Sequence, residues 1–135
     1  MGPELSAYWP DAESISDHPH DIAFAPVWRE TPKVVFSRTL EKADWNTRVV
    51  GGDLGAVVAA LKAEPGEDLL LMGGAELAAE LTARGLIDEY HVFVHPVVLG
   101  GGKRPFAEGT ARLGLALVES RTFDGQVVLL RFRRA

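Results

Sequence analysis

A chain of 135 residues, 47% hydrophobic and 24% charged, has the size and make-up of one globular domain with a real core. A formal charge of −5 without any basic run argues against nucleic acid as the partner, and the absence of cysteine excludes disulfides, thiol catalysis and cysteine-ligated metal. No apolar run reaches membrane-spanning length and no charged-then-apolar leader opens the chain, so a cytoplasmic setting is expected.

Glu4 to Trp9 reads as the end of a helix stopped by Pro10, and Asp11 to Pro26 as an irregular stretch rich in Asp, Ser, His and Pro. Within it, DHPHD offers metal donors at Asp17, His18, His20 and Asp21, while a polar surface loop fits the same residues. Lys33 to Ser37 is β-branched and aromatic and predicts a strand. Ser37, Arg38 and Thr39 leave its end, where α/β sheets bind ligands. An arginine with two hydroxyls suits a 2′-phosphate, and a solvated turn is the alternative.

Thr47 to Val50 predicts a second short strand. Gly51-Gly52 then turns into a helix capped by Asp53, with Leu54, Val57, Val58 and Leu61 on one face and Glu64-Pro65-Gly66 at its end. Leu69 to Met72 is apolar at every position, which predicts a central strand covered on both faces.

Gly73 and Gly74 follow at once and a helix starts near Ala75. Its free amides and dipole favour a phosphate, whereas the Glu76 carboxylate opposes one, and a ligand-free tight turn fits equally. Ala75, Leu77, Ala78 and Leu81 make the apolar stripe, Glu76, Glu80 and Arg84 face water, and Gly85 caps the helix.

From Asp88 the chain reads as extended again. Tyr90, Val92 and Val94 point to one face and His91, Phe93, His95 and Val97 to the other, predicting a strand buried on both sides until Pro96 ends its pairing. On a strand His91 and His95 stand roughly 13 Å apart, too far for one metal, and read as hydrogen-bonded histidines of a mixed core. Gly100 to Arg104 is a second candidate anion loop. No periodic helix follows it, so Lys103 and Arg104 read as exposed charges or as holders of a substrate phosphate. Leu115 to Phe123 and Gln126 to Arg133 flank Asp124-Gly125, the signature of a type I′ hairpin. The apolar VVLLRF packs on the core or on a second subunit, and a homodimer is expected.

The run GGAELAAELTARGLIDEYHVFVHPVVLGGGKRPF resembles the C-terminal signature of the dihydrofolate-reductase-like family that includes the reductase domain of bacterial riboflavin biosynthesis. Double glycine, leucine-bearing helix, Gly-Leu-Ile-Asp-Glu turn and His-Pro-Val-Val-Leu-Gly segment stand in the family's order. The resemblance implies one α/β domain over residues 1–135, a dihydrofolate-reductase-like mixed sheet flanked by helices. It also implies NADPH-dependent reduction of a small heterocyclic or ribosylaminopyrimidine-type substrate. Ser37, Arg38 and Thr39 would then approach the adenosine 2′-phosphate, and Gly73, Gly74, Ala75 and Glu76 would hold the pyrophosphate through main-chain amides, with Leu77 packed under the turn. No residue is assigned as proton donor.

Family members open with a strand bearing a Ser-Leu-Asp-Gly type segment and a helix with Gly-Arg-x-Thr-Tyr-Glu, whereas this sequence starts at MGPELSAYWP, close to the end of that helix. The expected fold is therefore N-terminally truncated. It lacks the strand between Leu69–Met72 and Tyr90–Val97, so both have unpaired inner edges. A non-catalytic nucleotide-binding or dimerising remnant is the rival reading, and a purely structural interaction domain a second.

Overall fold

The computed structural model describes residues 8–36, 47–72 and 74–135. The chain divides into two compact units, Met1–Gly74 and Ala75–Ala135.

In the first unit a 3-10 turn, Trp9–Asp11, leads into α1 (Ala12–Ile15) and then α2 (Pro19–Glu30). The segment expected to be irregular is thus largely helical. His18 caps α2, its Nδ1 accepting the His20 N–H at 3.2 Å, with Pro19 in the first turn and Asp21 near the positive end of the dipole. Pro26 forfeits one hydrogen bond inside the helix, yet Ala25 and Trp28 beside it are buried and hold the face down. Tyr8 and Ser16 both donate to Asp21 Oδ2 at 2.7 Å. Those two bonds, the Tyr8 one foremost, hold the Asp21 carboxyl down at about 2.

At the other end of α2 the Lys33 ammonium donates to the carbonyls of Trp28, Arg29 and Thr31 and lies 4.4 Å from the Trp28 ring centroid. It satisfies carbonyls that the helix leaves open, and burial lowers its pKa.

β1 (Lys33–Phe36) and β2 (Thr47–Val50) pair in parallel, Lys33 opposite Thr47 and Phe36 opposite Val50. α3 (Leu54–Ala63) has the expected cap, Asp53 accepting the Ala56 N–H at 2.9 Å, and buries Val58. The central strand expected at Leu69–Met72 does not form. Those four residues have no strand geometry, and Leu70 is 81% exposed. A strand exists only through a neighbour's hydrogen bonds, and none pairs with this run among the described residues.

The second unit begins with α4 (Ala75–Ala83), which ends at Gly85 as the sequence requires. Gly85 has φ +68°, Leu86 N–H donates to Leu81 O and Gly85 N–H to Thr82 O, the two bonds of a Schellman motif. Leu81 is buried, while Glu80 and Arg84 form an exposed pair at 2.8 Å.

Three antiparallel strands follow, β3 (Glu89–Val94), β4 (Leu115–Phe123) and β5 (Val127–Arg134), in the order β3-β5-β4. The hairpin turn is of the predicted type: Asp124 and Gly125 have φ +51° and +67°, and Gln126 N–H reaches Phe123 O at 2.9 Å. A bulge falls between Leu117 and Glu119. β3 is shorter and less buried than its apolar pattern implies. It stops at Val94, has a paired neighbour only on the β5 side among the described residues, and leaves Phe93 and Val94 about half exposed.

His91 and His95 are exposed and not core residues. His91 lies 2.6 Å from Glu89 on a charged face where Glu89 also meets Arg131 and Arg133, and Arg131 meets Glu119. The His91 contact, then Arg131, lowers the Glu89 carboxyl to about 2.

Parallel and antiparallel pairing are both present, as a mixed α/β fold requires, but they lie in two separate sheets among the described residues. No helix among those residues is long and apolar enough to cross a membrane.

Candidate functional site

The amino end of α4 opens onto a cavity of about 260 Å³ lined by Ala75, Glu76, Ala79, Lys103, Arg104, Ala107 and Glu108. It forms because alanine at positions 75 and 79, one helical turn apart, leaves space above the helix that the Gly100–Arg104 loop and the residues after it close from the other side. Gly100 and Gly102 have φ +79° and +130°, conformations that an L side chain rarely adopts, so the two glycines shape the loop that delivers Lys103 and Arg104.

Lining charges are mixed. Arg104 Nη1 is 3.6 Å from Glu108 Oε2, an exposed pair that leaves the guanidinium partly committed. Among the described residues Lys103 makes no ion pair, so its charge is available to a ligand. The first amides of α4 add donors and a positive dipole end, and the Glu76 carboxylate offsets part of both.

A second cavity, of about 300 Å³, lies further along α4 and shares Ala107 with the first. Thr82, Phe106, Thr110, Leu113 and Leu115 give it an apolar wall with two hydroxyls. Phe106 packs on Tyr90 with centroids 5.6 Å apart, and the Tyr90 hydroxyl donates to Thr82 Oγ1 at 3.2 Å. The two cavities follow one helix. The first carries charges of both signs at the start of the helix, and the second is largely apolar further along.

Of the expected cofactor residues, Ala75 and Glu76 line the first cavity, Gly74 stands exposed just ahead of them, and Leu77 is half-buried without lining it. Ser37, Arg38, Thr39 and Gly73 lie outside the described residues. Lys103 and Arg104, which the sequence kept apart from the start of this helix, share the cavity with Ala75 and Glu76. Ala79 and Glu108 were missed. Their signals were the spacing of four from Ala75 and from Arg104.

The profile of the RibD C-terminal domain matches residues 2–129. Two uncharacterized proteins of Bacillus subtilis strain 168 are similar in sequence. YyaP is 41% identical over 96 residues, 71% of this chain and 51% of its own length, and YwjB is 41% identical over 80 residues, 59% and 45%. The chain thus spans about half the length of the curated relatives it matches.

Among solved structures, a candidate riboflavin biosynthesis protein from Shewanella sp. PV-4 superposes with a TM-score of 0.69 at 25% identity, covering 78% of this chain and 61% of that one. A pyrimidine reductase-like protein of Corynebacterium diphtheriae NCTC gives 0.57 at 14% identity, covering 88% and 53%, a likeness of fold alone. The α/β fold expected from the sequence, of the dihydrofolate-reductase-like reductase type, is therefore the one observed.

Proposed function

Since the chain belongs to the RibD C-terminal domain family, a reductase-type family of the riboflavin pathway, we propose that it binds NADPH and serves reduction of a small heterocyclic or ribosylaminopyrimidine-type substrate. The observation that carries the reading is the cavity at the start of α4, which Ala75 and Glu76 of the first helical turn line together with Lys103 and Arg104. Such a site suits the cofactor's pyrophosphate. Ser37, Arg38 and Thr39 are proposed for the 2′-phosphate, which distinguishes NADPH from NADH, and Gly73 and Gly74 for close main-chain approach at the turn. When bound, NADPH supplies the hydride. The chain's own part is position and electrostatics: amides and cations hold the phosphates, and the apolar wall around Phe106 offers a place for a ring.

Fluorescence titration of the chain with NADPH, using NADH as control, tests this. Saturable binding with preference for NADPH is expected. A folded sample that leaves NADPH fluorescence unchanged overturns it.

A second reading is favoured by the exposed apolar runs Leu69–Met72 and Val97–Leu99: a nucleotide-binding, dimerising protein without turnover. NADPH that binds but is not consumed with pteridines or ribosylaminopyrimidines distinguishes it. We also propose a homodimer through the edge of β4 that has no strand neighbour among the described residues, where Leu117 and Val118 are about half exposed, because β5 is already paired on both sides. Sedimentation as a monomer at micromolar concentration would dispose of that arrangement.

A further inference from the structure

The geometry points to a site for a divalent transition ion, of the Zn²⁺ or Ni²⁺ kind, formed by His18, His20 and Asp21 at the start of α2. One donor atom from each residue lies within 4.8 Å of the other two, so modest side-chain rotations bring all three onto one ion at bond lengths of about 2 Å. The helix start produces this grouping: His18 is the cap, His20 and Asp21 stand in the first turn, and Pro19 fixes the backbone between them.

Two of the three donors are already oriented by neighbours. The Tyr8 and Ser16 hydroxyls both occupy Asp21 Oδ2 and leave Oδ1 directed at His20 Nδ1, 3.3 Å away. The His20 ring stacks on Phe24, with centroids 5.6 Å apart and planes 14° from parallel. Outer groups that fix a carboxylate and an imidazole in this way are what metal ligands require.

Two imidazoles with one carboxylate suit a borderline ion and not Ca²⁺ or Mg²⁺, which take oxygen ligands. Exposure of both histidines leaves the remaining positions to water. His18 Nδ1 now accepts the His20 N–H, so an ion bound at that nitrogen displaces the capping bond and the affinity is moderate. Asp17, the other carboxylate of the DHPHD run, is outside the group. Nothing in this site depends on the cofactor reading, since every residue in it belongs to the first unit.

Calorimetric titration of the full chain with ZnCl₂ and NiCl₂, with CaCl₂ as control, is the test. The expected result is one transition ion per chain, removable by EDTA, with a rise in melting temperature. Affinity should fall at least about tenfold in His20→Ala and in His18→Asn, which removes an imidazole but keeps a good capping side chain. Absence of heat and of a melting shift with either metal overturns the site. So does binding that persists unchanged in both variants, which would move it to His91 or His95, and so does a preference for Ca²⁺.

Discussion

Glu76 is the residue on which the proposed anion site turns, because it lines the cavity at the start of α4 together with Lys103. A sphere of 260 Å³ has a radius of about 4 Å, so a wall charge stands roughly 6 Å from a group at the centre. In water-like dielectric that separation gives about 0.7 kcal/mol per charge, and about 1.4 kcal/mol against the two charges of a pyrophosphate. Glu76→Gln should therefore tighten NADPH binding about tenfold at low salt. At physiological ionic strength screening reduces the effect to about threefold. Lys103→Ala should weaken binding by the same factors. Glu108→Gln should tighten it, because Arg104 loses the carboxylate 3.6 Å away.

The assay is the NADPH titration repeated at two salt concentrations. If NADPH binds and all three variants keep the parent Kd at low salt, the pyrophosphate does not lie in this cavity. If Glu76→Gln weakens binding, the carboxylate is itself a ligand, and the electrostatic account is wrong.

Gly85→Ala should destabilise the second unit by about 1–2 kcal/mol, because φ +68° is strained for an L side chain, although the nearest atom to the new Cβ, Arg134 Nη1 at 3.4 Å, can move. Denaturant unfolding followed by circular dichroism measures it, and an unchanged midpoint would contradict the Schellman cap. Asp53→Ala should cost about 1 kcal/mol, with Asp53→Asn nearly neutral. Tryptophan fluorescence reads that change, since Trp28 is buried in the first unit, to which Asp53 also belongs. Glu89 has a folded pKa lowered from 4.5 to about 2, so its contribution to stability is complete above about 4.5 and is lost as pH falls toward 2. Glu89→Gln should flatten that part of the acid unfolding profile, and a profile identical to the parent's would show that the cluster with His91 and Arg131 does not couple to folding.

Features set by a few adjacent residues were legible in the sequence. The Asp53 cap, the Gly85 stop and the Asp124-Gly125 turn each depend on the local backbone and on one side chain or its absence. α2 was hidden because its cap is a histidine, a residue outside the usual capping set, and because Pro26 lies within it. Burial of the apolar runs was misread for a different reason. Leu69–Met72 and the β3 segment carry the composition of central strands, but composition states only what a strand would bury if paired. Lys103 and Arg104 are exposed, as one of the two sequence readings had them, but their position beside the start of α4 was not legible in their own loop. The helix that matters lies earlier in the chain and meets the loop only in space.

Both segments that build the candidate anion site follow directly from an exposed apolar run. Leu69–Met72 leads into the double-glycine turn, and Val97–Leu99, with Val98 95% exposed, leads into Gly100–Arg104. A run held by hydrogen-bonded neighbours would hand each loop a fixed starting direction, and an unpaired run does not. Under the proposed function, covering these runs would fix the approach to the site, and NADPH binding would then be coupled to whatever covers them. If homodimerisation covers them, NADPH affinity should rise with protein concentration over the range in which the dimer forms. If the affinity is constant across that range, the runs and the site are independent.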